Sequence, residues 1–338
     1  MRGIKFLTVA AAGAVAIAGG ALAQSPADFY KDRQVTILHG FGVGGTYGKT
    51  SLSLAEALKP ILGTDSIIVQ NRTGSGGLKM TNYAYNVAPK DGSVLLMLPD
   101  TLVVTQLTRP EAAKYEADKF TFLGGALKVN SVLVVRGDTG VKKWSDLRNK
   151  EVPMASSGVG SQTYQVPAIV NGLLGTKMKI VKGYRGSRKM LLAMEQGEVA
   201  GINLTWLAFK TNREAWFKNG FAVPLIQMGP KPEAELAKVP MLTNLVAAGD
   251  RPIIGFMSTL VAIGRSLAVA PGVPQDRIAF LRGAFAKAVA TPAFAASMKK
   301  SKLRVTPSTG DEIQKVVSDS LKIDDATLAK ARKLLAAK

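Results

Sequence analysis

The sequence contains no cysteine and only one histidine, His39. Without cysteine, the chain can form neither a disulfide nor a thiolate metal site, so packing alone must hold the fold. A lone histidine argues against a transition-metal centre, and we expect neither a metal nor a cofactor. We expect His39 to be a packed or hydrogen-bonded side chain. If it lay near a ligand, it would make binding pH-dependent.

Acidic and aromatic residues are also few. The chain has 24 Asp and Glu against 44 Lys and Arg, a formal net charge of +20, and its aromatic content is 7%. Such a charge suits an anionic partner, which can be nucleic acid, a membrane or a substrate. No nucleic-acid-binding motif accompanies it, so nucleic acid is excluded. We interpret the positive charge as lying on a solvated surface that attracts anions. The alternative is that the proteins of the source organism are basic in general and that the charge has no specific role.

The longest run of apolar and small residues lies within the first 23 residues. Arg2 and Lys5 precede a stretch of small and apolar residues, and Ala21 and Ala23 form a site typical of signal peptidase. This pattern predicts a signal peptide over residues 1–23, cleaved before Gln24. The alternative is an uncleaved anchor, but the run is short for a membrane span. We therefore expect a soluble periplasmic protein, without a lipid anchor because no cysteine follows the signal.

A glycine-rich loop at residues 39–46 follows a predicted strand and ends close to a GKT tripeptide at residues 48–50. A phosphate-binding loop needs a glycine five residues before the glycine of that tripeptide, and Val43 stands there. Gly42 and Gly44 are each one place off, which argues against a nucleotide site. The loop is then an ordinary strand–turn–helix corner, or a helix N-terminus that binds another anion such as a carboxylate.

Strand and helix patterns alternate twice along the chain. Residues 34–98 read as strand, helix, strand, helix, strand, and residues 130–228 repeat this alternation. Alternation of this kind predicts α/β units with parallel sheets. The remainder is more helical, with two helices broken at Thr291 and Pro292 and a helical stretch over 308–338. Ser308 or Thr309 is the expected N-cap of that stretch.

The two α/β units carry similar loops, HGFGVGGT at 39–46 and SSGVGSQT at 156–163. Each loop would place free amides and hydroxyls at a helix start. Ligands of open α/β sheets bind at the carboxyl ends of strands. Two such loops would therefore face each other across a cleft.

A series of segments in this order resembles one family: VTILHGFGVGGT, IIVQNRTGSGG, APKDGSVLLML, MASSGVGSQT, GYRGSRKMLLAMEQGEVAG and LAKVPMLTNL. The family is the solute-binding proteins of tripartite tricarboxylate transporters, also called Bug or TctC-like receptors. The resemblance covers nearly all of the chain after the signal. No single motif carries it; the ordered series does.

The resemblance implies a type II periplasmic binding protein, with two α/β lobes joined by a two-crossing hinge. Lobe 1 would comprise residues 24–130 and 230–338, and lobe 2 residues 131–229, with the C-terminal helices packing on lobe 1. It implies a receptor that closes on a small carboxylate, such as a di- or tricarboxylate, an amino acid or an aromatic acid. We also expect the protein to be a monomer. The receptor would then deliver this ligand to a membrane permease of the same transporter family.

Two other classes of function, a sensor and an enzyme, are alternatives to a transport receptor. A receptor-like sensor that signals to a membrane kinase would have the same lobes, and it remains the alternative. An enzyme is not expected, because the chain has no G-x-S-x-G nucleophile elbow and a Ser–His–Asp triad would depend on His39 alone.

The resemblance also places the carboxylate between loops 40–46 and 156–161, held by amides and hydroxyls that allow its release. Tyr47 stands where the family often has an acidic residue, and His39 where many members have proline. Tyr47 would either stack on an aromatic acid or merely cover the helix start. The predicted ligand-binding residues are Gly44, Gly45, Thr46, Tyr47, Asp100, Thr101, Ser156, Ser157, Ser161, Gln162, Tyr184, Arg185 and Asn203. Weaker candidates are Arg72, Ser75 and Trp206.

Overall fold

The computed structural model describes residues 25–336, so the predicted signal peptide lies outside the described residues. The chain first builds most of one sheet and the helices that cover it. These elements are α1 Pro26–Tyr30, β1 Gln34–His39, α2 Thr46–Leu62, β2 Ser66–Asn71, α3 Leu78–Asn86, β3 Val94–Met97, α4 Leu102–Thr108 and β4 Thr121–Leu127.

The middle of the chain builds a second sheet. Its elements are β5 Ser131–Arg136, β6 Val152–Ser156, α5 Gln162–Leu174, β7 Met178–Lys182, α6 Ser187–Glu195, β8 Gly201–Thr205, α7 Trp206–Arg213, α8 Ala215–Lys218 and β9 Ala222–Met228.

The last part returns to the first sheet and is mostly helical. Its elements are α9 Leu242–Leu245, α10 Arg251–Met257, α11 Thr259–Ile263, β10 Arg265–Val269, α12 Gln275–Ala290, α13 Pro292–Lys300, β11 Ser308–Thr309, α14 Gly310–Ser320 and α15 Asp325–Leu335.

The sheet of lobe 1 has the strand order β11-β4-β10-β3-β1-β2. Strands β1, β2 and β3 run parallel, so their carboxyl ends meet at one edge. Strand β10 is antiparallel to both β3 and β4. The polar residues that follow β1 and β3 therefore lie close to the start of β10.

The sheet of lobe 2 has the order β7-β6-β8-β5-β9. Strands β6, β7 and β8 are parallel, whereas β5 is antiparallel to β8 and β9. Ser131 at the start of β5 pairs with Met228 at the end of β9. The chain thus enters and leaves this lobe side by side, through segments that begin at residues 128 and 229. This strand partition supports the lobe boundaries at 130 and 229, which remain a prediction.

The two-lobed α/β fold is confirmed, but both sheets are mixed rather than parallel. Strand β5 is the first after the chain crosses into lobe 2, and β10 is the first after it returns to lobe 1, so neither follows a βαβ crossover within its own sheet. Strand β11 adds a two-residue antiparallel edge beside β4. Strands β4 and β10 were not predicted. Residues 265–269 are buried on both faces, so this short run has no alternation that would mark it as a strand.

Helix boundaries agree better with the sequence. Thr291 accepts a hydrogen bond from the amide of Phe294 at 3.1 Å and caps α13 at the predicted break. Thr309 caps α14 in a capping box with Glu312. The last helical stretch is two helices, and its second member, α15, contacts α4 in lobe 1 and also α5 in lobe 2.

Among residues 25–336, no single helix is long and apolar enough to cross a membrane. Helices α12 and α13 reach the required length and composition only when taken together, and a bend of 64° separates them. Helix α12 packs on α2 and β4, and α13 packs on α2, so the pair covers the core of lobe 1.

Candidate functional site: a cleft between the lobes

Within the described chain, the N-terminal ends of α2, α5, α6 and α7 meet at one cavity between the lobes. The first amides of a helix have no partner inside it and give its N-terminus a partial positive charge. No side chain caps α2, α5 or α6. The helix-end residues that line the cavity are Gly45, Thr46, Ser161, Gln162, Gly186, Ser187 and Thr205. The cavity is therefore suited to an anion.

On the lobe 2 side, hydroxyl groups form a hydrogen-bonded cluster. The Oγ of Ser157 donates to the Oγ of Ser161 at 2.8 Å. The amide of Ser157 donates to Oγ1 of Thr163 at 3.0 Å, which fixes the loop after β6 against the start of α5. All three residues line the cavity. Hydroxyls can donate to a carboxylate without adding a charge that would hold it permanently.

On the lobe 1 side, the cavity is walled by a buried ion pair. Nη1 of Arg265 donates to Oδ2 of Asp100 at 2.7 Å, and the two side chains are 2% and 3% exposed. Nε of Arg265 donates to Oγ1 of Thr46 at 3.1 Å. The guanidinium lies over the ring of Tyr47, with Cζ 3.9 Å from the ring centre. Each charge is thus compensated by the other and by polar neighbours, as burial requires.

Burial and the neighbouring groups act in opposite directions on both members of this pair. It raises the pKa of Asp100, while the Arg265 guanidinium opposes the rise. Burial disfavours charge on Arg265, but Tyr47 and Asp100 outweigh it and raise the pKa of the guanidinium. A guanidinium does not lose its proton in proteins, and at 2.7 Å it holds the carboxylate ionised at neutral pH. The pair therefore adds no net charge to the cavity.

Tyr47 belongs to the wall of this cavity. Its ring stacks on Phe41 with centroids 4.3 Å apart, and its hydroxyl accepts the amide of Asp100 at 3.0 Å. Burial raises the pKa of the Tyr47 hydroxyl. Met190, Leu204 and other apolar residues complete the surface. Tyr47 therefore both covers the helix start and offers an aromatic wall.

The cleft has a deep part and a mouth. The deep cavity has a volume of about 40 Å³, and the adjoining mouth cavity about 390 Å³. They share the lining residues Phe41, Ser157 and Gly186. The mouth also has Lys79 and Arg185 in its wall, and no acidic residue lines it among the described ones. The mouth is therefore cationic, whereas the deep part is charge-neutral.

Hydrogen bonds join the lobes around the cleft. The amide of Gly76 donates to the carbonyl oxygen of Ser157 at 3.1 Å, and Oγ1 of Thr101 to that of Gly160 at 2.6 Å. Nε2 of Gln162 donates to Oδ2 of Asp100 at 3.2 Å. The lobes are thus closed on each other in this structure.

The structure brings many of the predicted ligand-binding residues to the cleft, but not all of them. Ser156 is fully buried and accepts the amide of Gly158 at 3.1 Å. Asn203 donates to Ser131 at 2.7 Å inside lobe 2. Gly44 lies against the side chain of Arg188. The hydroxyl of Thr101 donates to the carbonyl oxygen of Gly160 and so joins the two lobes instead of facing the cavity. The predicted residues that line the deep cavity are Gly45, Thr46, Tyr47, Asp100, Ser157, Ser161 and Gln162, and Ser157, Tyr184 and Arg185 line the mouth.

The weaker candidates also have defined places. Ser75 lines the mouth. Arg72 lies over the ring of Tyr83, with Cζ 3.8 Å from its centre. Trp206 is largely buried and donates through Nε1 to Glu235 at 3.0 Å, away from the deep cavity.

Sequence reasoning missed Arg265 and Ser187, and it included Phe41 only as part of loop 40–46. Arg265 opens a strand that was not predicted, so nothing placed it beside the strands that end at the cleft. Ser187 was visible as the first residue of a predicted helix after the GYRG loop. Its position at a helix start is the signal that would have found it.

His39 ends β1 and does not line the cavity. Its side chain is fully buried, and Nδ1 accepts the amide of Phe41 at 3.4 Å. Burial lowers its pKa to about 4, partly opposed by this hydrogen bond. The expected packed, hydrogen-bonded histidine is confirmed. No group of three or more His, Cys, Asp or Glu side chains able to hold a metal occurs within residues 25–336.

A family model, the tripartite tricarboxylate transporter family receptor (TctC), matches residues 52–334. The chain belongs to this family of receptors. The resemblance seen in the sequence is thereby confirmed, and the family consists of solute receptors rather than enzymes. No curated protein matches the sequence of this TctC-family receptor.

Solved structures agree with this membership. The periplasmic binding protein BugD superposes with a TM-score of 0.71 at 19% identity, covering 90% of this chain and 98% of BugD. Rpa4515 of R. palustris, solved with adipate, gives 0.68 at 20% identity, with 90% and 97% covered. MatC of Rhodopseudomonas palustris, with bound malate, gives 0.67 at 17%, with 90% and 99% covered. At these identities the likeness establishes the fold.

Proposed function

We propose that this TctC-family receptor is a periplasmic protein that captures a small carboxylate between its lobes and delivers it to a membrane permease of the tripartite tricarboxylate transporter type. The observation that carries the proposal is the convergence of helix N-termini from both lobes on one hydroxyl-lined cavity. The adipate and malate in the structures of two relatives support a carboxylate as the ligand class.

The geometry favours a carboxylate group in the deep cavity. Its volume of about 40 Å³ suits one small polar group rather than a whole organic acid. The uncapped amides of α2, α5 and α6 supply donors there. The hydroxyls of Ser157 and Ser161 donate within lobe 2 in this structure and would turn to the ligand when it replaces those bonds. Among residues 25–336, Arg265 is the only basic side chain in the wall, and Asp100 neutralises it. The ligand is then held by dipoles and hydrogen bonds, which permits release.

The remainder of the ligand would occupy the mouth. Its volume of about 390 Å³ accepts the carbon chain of a small acid. Lys79 and Arg185 in the mouth would attract a second negative group and reject a cationic one. We therefore expect dianions to bind more tightly than monoanions of the same length.

Delivery to the permease would depend on closure of the two lobes around the ligand. A ligand that contacts both loops stabilises the closed lobes relative to open ones, because its differential affinity shifts that equilibrium. The closed surface is then the form that the permease would recognise. The side-by-side segments before β5 and after β9 would serve as the hinge, since both crossings lie together.

A thermal-shift screen of residues 24–338 tests the proposal. The panel holds malate, adipate, citrate, glutamate and benzoate, each paired with its neutral amide, with ATP and glucose as controls. A ligand at 100 times its dissociation constant adds about 2.7 kcal/mol to the free energy of unfolding. We expect a raised melting temperature with a carboxylate and none with its amide. A response to ATP or glucose alone would refute the carboxylate assignment.

A further inference from the structure

A second concavity, here called the hinge groove, lies beside the segments that connect the lobes. It is bordered by residues 128–130, residues 230–235, the first turns of α7 and residues 302–306, and its volume is about 550 Å³. That volume lies within the range of small-molecule sites in proteins. It is far larger than the deep cavity of the cleft.

Helix α7 separates the hinge groove from the cleft. Thr205 and Ala208 line the deep cavity, whereas Trp206, Leu207 and Lys210 line the hinge groove. The amide of Trp206 donates to the carbonyl oxygen of Asn130 at 2.9 Å, which ties the helix to the first connection. The hinge groove is therefore a site of its own and not an extension of the cleft.

One side of the hinge groove is apolar. Trp206, Val129 and Val261 are largely buried but reach its wall, and Leu207 is half-buried there. Trp206 is held in place by its hydrogen bond to Glu235 and by an edge contact with Phe217 at a centroid distance of 4.8 Å. An indole and three aliphatic side chains offer a fixed surface for a hydrocarbon or aromatic body.

The rim of the hinge groove is cationic. Lys128, Lys231 and Arg304 are exposed, and within residues 25–336 their side chains make no hydrogen bond and no ion pair within 4.0 Å. Lys210 and Lys302, by contrast, are already paired with Glu214, at 3.4 and 3.0 Å. Three cations on one rim repel one another, and an anion there would relieve that repulsion.

One carboxylate faces these cations. Glu233 is half-buried in the hinge groove, and burial and its neighbour Glu235 raise its pKa, while Arg304 and Lys231 oppose the rise. The carboxylate of Glu235 is engaged with Lys210 and Trp206. Glu233 is therefore one carboxylate beside three basic side chains that form no ion pair within 4.0 Å, and the rim keeps a net positive charge.

We propose that the hinge groove is a second binding site, for an amphipathic organic anion whose acidic group meets Lys128, Lys231 and Arg304 and whose apolar body lies on Trp206 and Leu207. The charge excess selects the anion, the apolar wall selects its body, and the volume limits it to a small molecule. This site does not depend on the ligand of the cleft.

The test uses the fluorescent anion 8-anilino-1-naphthalenesulfonate, which is too large for the deep cavity, at constant ionic strength. The parent protein for this test carries Lys79→Gln and Arg185→Gln, which remove the cations of the cleft mouth. We expect saturable binding to one site. The variant Lys231→Gln/Arg304→Gln should bind at least about tenfold more weakly. The control Lys299→Gln/Lys300→Gln removes the same charge from exposed positions of α13 and should bind within about twofold of the parent protein. Equal weakening in both variants, or none in either, would overturn the proposal.

Competition separates the two halves of the proposed ligand. Octanoate should displace the probe at a concentration at least about tenfold lower than either acetate or hexanol. If acetate is as effective, the rim binds any anion and the apolar wall plays no part. If hexanol is as effective, the hinge groove is only an apolar patch. Either result contradicts the proposal.

Discussion

At the scale of single residues, the cleft depends on a buried ion pair whose two charges come from distant parts of the chain. Asp100 follows β3, and Arg265 opens β10. The pair holds Thr46 and Gln162 through hydrogen bonds, one from each lobe. It therefore positions cavity residues without offering a free charge to the ligand.

Removing one partner should be more harmful than removing both. Asp100→Ala leaves the Arg265 charge buried and uncompensated, and we expect a loss of about 3–5 kcal/mol in the free energy of unfolding. The double variant Asp100→Leu/Arg265→Met replaces both charges with apolar groups and should lose less than the single variant. Urea denaturation measures both. A single variant as stable as the parent protein would show that the pair is not buried as described.

His39 should make stability depend on pH. Burial lowers its pKa from 6.5 to about 4 in the folded state, so the unfolded chain takes up the proton more readily. The resulting stability is present above pH 6.5 and is lost as pH falls from 6.5 towards 4, by about 3 kcal/mol. The difference in unfolding free energy between the parent protein and His39→Gln isolates this effect. A difference that stays constant between pH 7 and pH 4 would contradict it.

The sequence predicted cleft residues where a loop follows a strand in a recognisable pattern. Gly45, Thr46, Ser157 and Ser161 belong to the two glycine loops and line the deep cavity. Ser156 and Asn203 lie on strands that end close to the cavity, but their side chains point into lobe 2. The side chains of a strand alternate between its two faces, so adjacent positions can point to opposite sides. Position in a loop is visible in a sequence, but the direction of one side chain is set by packing.

At the scale of elements, glycines allow the loops of the two lobes to touch. A Cβ on Gly42 would lie 2.6 Å from the carbonyl oxygen of Arg185 in the other lobe. A Cβ on Gly160 would lie 2.5 Å from the carbonyl oxygen of Ser75. Both obstacles are backbone atoms, which cannot move aside as a flexible side chain does. These glycines are therefore needed for closure.

Gly42→Ala should impair closure without disturbing the fold of lobe 1, because the φ of Gly42 is outside the left-handed region. We expect affinity for a cleft ligand to fall at least about tenfold. Small-angle scattering should give a larger radius of gyration with ligand than for the parent protein. The control is Gly283→Ala, where a Cβ in α12 meets nothing within 4 Å. Unchanged affinity in Gly42→Ala would mean that the loops do not meet as described.

Elements were predicted best where local chemistry marks them. The caps of α13 and α14 and the glycine loops carry such marks. Strands β4 and β10 carry none. All five residues of β10 are buried, so it has no alternation, and its neighbours in the sheet come from residues 94–97 and 121–127. Its place in the sheet depends on long-range packing that a local pattern does not contain.

At the scale of the whole molecule, the lobes meet through a polar cleft and are joined by adjacent connections. Helix α15 adds a further link, because it contacts α4 in one lobe and α5 in the other. The two-lobed fold followed from the ordered family segments. The mixed sheets and the dual contact of α15 did not, because the direction of a strand in a sheet and the neighbours of a helix are set by long-range packing that a local sequence pattern does not contain.

The central claim is that the cleft binds a carboxylate through hydroxyls and helix ends of both lobes. Calorimetric titration of the best carboxylate from the screen tests it most directly, with the parent protein, Ser157→Ala/Ser161→Ala and the control Ser301→Ala/Ser318→Ala, whose serines lie outside the cleft. We predict one site, and a loss of about 1–3 kcal/mol of binding free energy in the cleft variant only. Equal affinity in all three proteins would contradict the account.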